Sequence, residues 1–431
     1  MTETLIPHLP FFHGVVRVPG DKSLGHRALM LAALAAGVSI IQNLPSGADV
    51  RATRHVLEQL GTRIEDLEDG SVRVHGAGGR FDTPTGPVDC ANSGTTMRLM
   101  AGICAGAGVR ARLVGDESLM KRPMERVAAP LREMGADVRT QSGKPPLDIW
   151  PDRSPVALRA GAFETSVASA QVKSAILLAG LFAGGRTSVH EPSRSRDHTE
   201  RFLRHLGLTC AYSGTRVEIC GPARPAPFTF QVPGDPSSAA FPAAIAAIRP
   251  NSRVRIAGVL ANPLRLGFFR ALERMGATVD YSASVPCGPE DVADITVSSA
   301  PLKGVEIVGD LALDALDELP LLALLGAFAA GKTVIRDAAE LRHKESDRVA
   351  STAAMIRALG GRVDERPDGL IVEGGLELRA GVIDAGRDHR IALCGAVAGT
   401  HIPGVRVRNF DISEVSYPGF LGILRNAAEE R

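Results

Sequence analysis

Residues 37–61 read GVSIIQNLPSGADVRATRHVLEQLG. A glycine opens a short run with strand-like alternation, a polar turn follows, and an amphipathic stretch runs to Gly61, where glycine just past the last turn is the expected helix stop. The pattern recurs along the chain. Strand openings stand at Gly37, Gly108, Gly185, Ser252 (after Asn251), Gly331 and Gly404, spaced 67 to 79 residues apart. Five copies share the ending: LEQLG to Gly61, LREMG to Gly135, LRHLG to Gly207, LERMG to Gly276 and IRALG to Gly360; the sixth reads FLGILRNAAEER.

Each strand is preceded by a second helical stretch that is apolar nearly all round: ALMLAALAAG, TMRLMAGICAG, VKSAILLAGLFAG, SAAFPAAIAAI, LPLLALLGAFAAG and RIALCGAVAG. A helix without a polar face belongs inside a domain. The spacing therefore predicts six α/β repeats, each with a buried helix, a strand, an outer helix and further strands. The segment Val18-Pro19-Gly20-Asp21-Lys22-Ser23 returns as Val232-Pro233-Gly234-Asp235-Pro236-Ser237, 214 residues later. Two lobes of three repeats follow, one spanning residues 20–235 and the other 1–19 plus 236–431.

Composition narrows the class. Hydrophobic residues make up 45% and charged residues 23% of 431, the mix of a globular protein. Lysine and arginine number 49 against 48 acidic residues, so the net charge of +1 exerts no long-range pull on nucleic acid or membrane. Eighteen aromatic residues with no evident stacking platform also speak against nucleic acid. Cys90, Cys104, Cys210, Cys220, Cys287 and Cys394 show neither a C-x-x-C pair nor zinc-type spacing with histidine, so no metal is expected. No signal-like N-terminus or membrane-length apolar run is present, and a cytoplasmic location is the expectation.

The starts of the six buried helices are polar and small: Asp21-Lys22-Ser23, Asn92-Ser93-Gly94-Thr95, Ser169-Ala170-Gln171, Asp235-Pro236-Ser237-Ser238, Asp317-Glu318 and Asp388-His389-Arg390. N-capping explains the Ser, Asp and Asn residues. It does not explain Lys22, Gln171 or Arg390, because the helix macrodipole disfavours cations at an N-terminus unless an anion is bound. Three loops after repeat strands add charge: Gly115–Met124 (GDESLMKRPM), Ser195–Thr199 (SRDHT) and Arg342–Arg348 (RHKESDR). In the last, Lys344 and Arg348 share one face if the helix has already begun, which would make a phosphate and carboxylate clamp.

DKSLGHRAL, ANSGTTMR, GDESLMKRPM, SAQVKSAILLAG, SRDHTER, PGDPSSAAF, DELP, RHKESDR and DHRIAL, in that order between residues 21 and 393, resemble the motifs of the 5-enolpyruvylshikimate-3-phosphate synthases. The resemblance implies an α/β fold of two lobes, each an inverse barrel-like arrangement of three βαβαββ units, with the active site in the cleft between them. It implies transfer of the enolpyruvyl group of phosphoenolpyruvate to the 5-hydroxyl of shikimate-3-phosphate through a tetrahedral intermediate, by a monomer that needs neither metal nor organic cofactor. By motif, Lys22, Ser23, Arg27, Ser169, Ala170, Gln171, Arg196, Asp317 and Lys344 would hold shikimate-3-phosphate. Lys22, Asn92, Gly94, Arg122, Gln171, Lys344, Arg348 and Arg390 would hold phosphoenolpyruvate. Asp317 would act as base, Glu345 as acid, and Lys22 would stabilise the departing phosphate. Asp317 also fits a helix start, since Asp-x-x-Pro opens an apolar helix.

Ala170, Glu340 and Val415 depart from serine, asparagine and lysine in some relatives, and Leu99 from a frequent proline. By the same resemblance, Gly94 leaves room beside the phosphoenolpyruvate site where relatives that resist glyphosate commonly place alanine, so inhibition by glyphosate in competition with phosphoenolpyruvate is expected. The amino-sugar enolpyruvyl transferases are the nearest rival, but residues 115–121 lack the cysteine usual there. A non-catalytic phosphometabolite-binding descendant would have lost Asp317 or Glu345, and both are present.

Overall fold

The computed structural model describes residues 2–150 and 154–429. The chain divides into two compact units: one is Gly20–Val232 with residues 287–290, the other residues up to Pro19, Pro233–Pro286 and Asp291 onward.

Within the first unit three four-stranded sheets repeat one path. In the second repeat, Val88–Asp89 lies parallel to Ala111–Val114, which pairs antiparallel with Lys144–Ile149, itself antiparallel to Val138–Gln141. The third repeat arranges Ala162–Glu164, Gly185–His190, Arg216–Gly221 and Cys210–Ser213 in the same order. In the first repeat the parallel partner of Ala36–Gln42 is Thr229–Gln231, from the far end of the unit. The second unit does likewise: His13–Arg17 lies parallel to Arg253–Leu260 of the fourth repeat, although it leads in sequence into the first. The fifth repeat is complete, with Glu306–Ile307 beside Lys332–Ile335, and the sixth sheet is finished by the N-terminal strand Glu3–Leu5, antiparallel to Arg406–Arg408. Thus the chain folds as six α/β repeats, and it passes from one unit to the other at the two Val-Pro-Gly-Asp segments and around residues 287–290.

The six inner helices are α1 Lys22–Leu34, α2 Gly94–Ala107, α3 Ala170–Gly180, α4 Pro236–Ile248, α5 Leu319–Phe328 and α6 His389–His401. They are buried almost throughout, as their apolar surfaces require. The outer helices end at Gly61, Gly135, Gly207, Gly276 and Gly360, all with positive φ. Each ending makes the paired bonds of a Schellman motif; at the first, Gly61 N donates to Glu58 O at 3.0 Å and Thr62 N to Leu57 O at 2.9 Å. The strand openings at Gly37, Gly108, Gly185, Gly331 and Gly404 also have positive φ, and Asn251 (φ 56°) takes that place in the fourth repeat. Asparagine tolerates the left-handed region because its short side chain bonds locally.

Candidate active site

At five of the six inner helix starts the capping expectation is met by a side chain. Asp21 accepts from Leu24 N, Ser93 from Thr96 N, Ser169 from Val172 N, Asp235 from Ser237 N and Asp388 from Arg390 N. The exception is α5. There Glu318 stands at the cap position without a side-chain cap bond, so Asp317 is not the cap of this helix. Its Oδ1 lies 3.7 Å from Lys344 Nζ and 3.5 Å from Arg348 Nη1, and its Oδ2 lies 3.9 Å from Arg390 Nη2. The charge of this carboxylate is balanced by three cations, and it does not cap the helix.

The loop before the outer helix Arg348–Ala358 differs from the sequence reading. Asp347 caps that helix through bonds to Val349 N and Ala350 N, both at 3.1 Å, so Lys344 lies outside it. Lys344 and Arg348 therefore do not share a helix face; they meet at Asp317 because the loop folds back. Arg348, 1% exposed, donates to Glu345 Oε2 at 2.6 Å and to Asp388 Oδ2 at 2.8 Å. Burial alone would lower its pKa, but Asp388 and Glu345 more than offset this and raise it. Burial alone would raise Asp388, and Arg348 holds it below the usual carboxylate range. Lys344 is lowered by burial, only partly countered by Asp317.

In the unit Gly20–Val232 the expected residues form two groups. Arg27, 4% exposed, donates from Nε to Thr199 Oγ1 at 2.7 Å, from Nη2 to Ser174 Oγ at 3.0 Å and from Nη1 to Ser23 O at 2.9 Å. Burial lowers its pKa to about 10 against the pull of Glu200 and Asp21, with Arg196 adding to the fall. Lys22 Nζ pairs with Asp49 Oδ2 at 2.7 Å. In the second group, Arg122 Nη2 donates to Asn92 Oδ1 at 2.6 Å, and a Cβ on Gly94 would stand 3.2 Å from Arg122 Nη1 and 3.0 Å from Arg98 Nη1. Gln171 accepts from Arg98 and donates to Thr95 Oγ1 at 2.8 Å. Ser169 N donates to Glu191 Oε1 at 2.9 Å, and Ala170 opens α3.

The family model described as EPSP synthase (3-phosphoshikimate 1-carboxyvinyltransferase) matches residues 11–424. The chain is 49% identical over 412 residues to a 3-phosphoshikimate 1-carboxyvinyltransferase of Gloeobacter violaceus, covering 94% of each. It belongs to the EPSP synthase family. A curated relative of the same description from Xanthomonas campestris is 46% identical over 417 residues, covering 96% of this chain and 94% of the relative. The solved EPSP synthase of Acinetobacter baumannii superposes with a TM-score of 0.87 at 37% identity, covering 99% of this chain and 98% of that one. The enolpyruvyl transferase NikO of Streptomyces tendae, at 21% identity and a TM-score of 0.77, covering 99% and 96%, shares the fold.

Sequence reading passed over several partners of these residues. Asp49, Arg98, Glu191, Glu318 and Asp388 each contact an expected site residue. So does buried Lys173 at one remove, bridging Glu191 at 2.8 Å and Glu200 at 2.7 Å. Glu318 and Asp388 stand beside Asp317 and Arg390 at helix starts, and Arg98 and Lys173 lie within ANSGTTMR and SAQVKSAILLAG; Asp49 and Glu191 come from distant turns and carried no signal.

Proposed function

We propose that this EPSP synthase family member transfers the enolpyruvyl group of phosphoenolpyruvate to the 5-hydroxyl of shikimate-3-phosphate, releasing inorganic phosphate. The observation that carries the mechanism is Asp317, uncapping and set among Lys344, Arg348 and Arg390. In this reading Asp317 takes the proton of the 5-hydroxyl as its oxygen attacks C2 of phosphoenolpyruvate, and Glu345 delivers a proton to C3. The tetrahedral intermediate then returns a C3 proton to the Glu345 carboxylate as the C2–O bond to phosphate breaks, and Lys22 stabilises the departing phosphate. Glu345 is held by Arg348 at 2.6 Å. An anionic substrate that takes over Arg348 releases the carboxyl group for proton transfer.

Shikimate-3-phosphate is assigned to Lys22, Ser23, Arg27, Ser169, Ala170, Gln171, Arg196, Asp317 and Lys344. Phosphoenolpyruvate is assigned to Lys22, Asn92, Gly94, Arg122, Gln171, Lys344, Arg348 and Arg390, whose forked guanidiniums match its oxygens in pairs. The reading places this chemistry in the cytoplasm and in a chain that acts as a monomer. No helix among the described residues is long and apolar enough to cross a membrane. The deciding test is phosphate release from phosphoenolpyruvate with shikimate-3-phosphate or with UDP-N-acetylglucosamine as sole acceptor. Release is expected only with the first, and release with the amino-sugar nucleotide alone overturns the reading.

A further inference from the structure

The helix start PGDPSSAAF and three buried charged side chains stand behind Arg390 without a part in this chemistry. Arg265, 3% exposed, donates from Nη2 to Asp235 Oδ1 at 2.8 Å and to Ser237 Oγ at 3.2 Å. Ser237 Oγ in turn donates to Glu318 Oε1, and the same oxygen accepts from Arg390 Nη1 at 3.3 Å. Glu318 is 3% exposed. These contacts join the starts of α4, α5 and α6 within one unit.

A carboxylate beside an arginine that must receive an anion weakens the attraction, so its presence needs a reason. Arg390 lies in the first turn of α6, where the partial positive charge of the helix start opposes a cation. Glu318 offsets that opposition. By engaging Nη1 it also sets the guanidinium plane, with Nη2 on the side of Asp317, 3.9 Å from Oδ2 and outside hydrogen-bond range. A forked donor matches two oxygens only when its plane is held.

We propose that Glu318 is a positioning residue that orients the Arg390 guanidinium for phosphoenolpyruvate, and that Ser237 and Arg265 hold Glu318 in turn. This rests on the assignment of Arg390 to phosphoenolpyruvate made above. The test is steady-state phosphate release with each substrate varied in turn, on Glu318→Ala, Glu318→Gln and Ser237→Ala, each checked for folding by thermal melting. For Glu318→Ala we expect KM for phosphoenolpyruvate to rise about tenfold while KM for shikimate-3-phosphate stays within about twofold. Glu318→Gln keeps an acceptor of the same size and restores KM to within about threefold of the parent, and Ser237→Ala raises it selectively by about threefold. In an Arg390→Lys background, Glu318→Ala adds no further loss in kcat/KM for phosphoenolpyruvate.

An unchanged KM for phosphoenolpyruvate in folded Glu318→Ala, equal rises for both substrates, or additive losses in the double variant each overturn the proposal. If Glu318→Ala does not fold, Ser237→Ala decides: an unaltered KM for phosphoenolpyruvate overturns it. Absence of phosphate release by the parent enzyme would instead sink the functional reading.

Discussion

Gly94 leaves two guanidiniums undisturbed only because it has no side chain. A Cβ there would crowd the Nη1 atoms of Arg98 and Arg122, at 3.0 and 3.2 Å. Both are ends of flexible side chains, so Gly94→Ala should fold normally but shift the cations: KM for phosphoenolpyruvate rises several-fold, and more glyphosate is needed for half inhibition. Steady-state kinetics with and without glyphosate check this, and full activity of the parent at millimolar glyphosate would contradict the second part. Asp317→Asn keeps the shape and removes the proposed base; kcat should fall by roughly 10²-fold or more with an unchanged melting temperature. Near-normal turnover would refute the assignment. His26 makes a different point. Its Nδ1 bonds Thr53 Oγ1 at 2.6 Å inside the protein, and burial lowers its pKa from 6.5 to about 3. The unfolded chain takes up a proton below its ordinary value while the folded chain does not until about 3. This share of stability is present above pH 6.5 and is lost as pH falls toward 3, at about 1.4 kcal/mol per unit. Between pH 6.5 and 5 the parent should lose about 1.6 kcal/mol more than His26→Gln in urea unfolding.

The recurring element is a helix that ends on a left-handed glycine, and two copies separate the reasons for glycine there. Gly207 (φ 76°) has open space where a Cβ would go, whereas a Cβ on Gly61 (φ 86°) would collide with the Asp82 carboxylate. Gly207→Ala should therefore lose only the backbone term, about 1–2 kcal/mol. Gly61→Ala should lose clearly more, because the steric term is added. Urea midpoints of the two variants measure the difference, and equal losses would show that the Asp82 loop yields freely.

At the scale of the molecule, the topology makes the first residues part of the last repeat. The strand Glu3–Leu5 closes the sheet of the sixth repeat, and Ile6 and Leu9, 2% and 0% exposed, enter the core. Gly399 on α6 is glycine where a Cβ would strike Ile6. Removing residues 1–9 discards two buried aliphatic side chains, about 3–6 kcal/mol, against a typical domain stability of about 5–15 kcal/mol. We expect calorimetry of the truncated chain to show the unit that contains the sixth repeat melting early or not folded, with the Gly20–Val232 transition retained. A single unshifted transition would contradict this.

What the chain's order of residues determined alone is whatever short-range physics controls. The left-handed glycines close bonds between residues five or fewer positions apart, and an all-apolar helix must be buried wherever it lies, so the six repeats, their inner helices and the polar helix starts were legible before any coordinates. Tertiary structure alone decided which strands pair and which charges meet. Residues 1–19 are expected in the second lobe, but nothing in their order names Arg253–Leu260 as the strand beside His13–Arg17, because strand pairing is set by distant partners rather than by neighbours in sequence. For the same reason Lys344 reaches Asp317 from outside the helix that starts at Arg348, and Glu318 finds Ser237 and Arg390. A side chain's charge is written in the sequence, but the partner that balances it in a buried place is chosen only when the fold brings remote turns together.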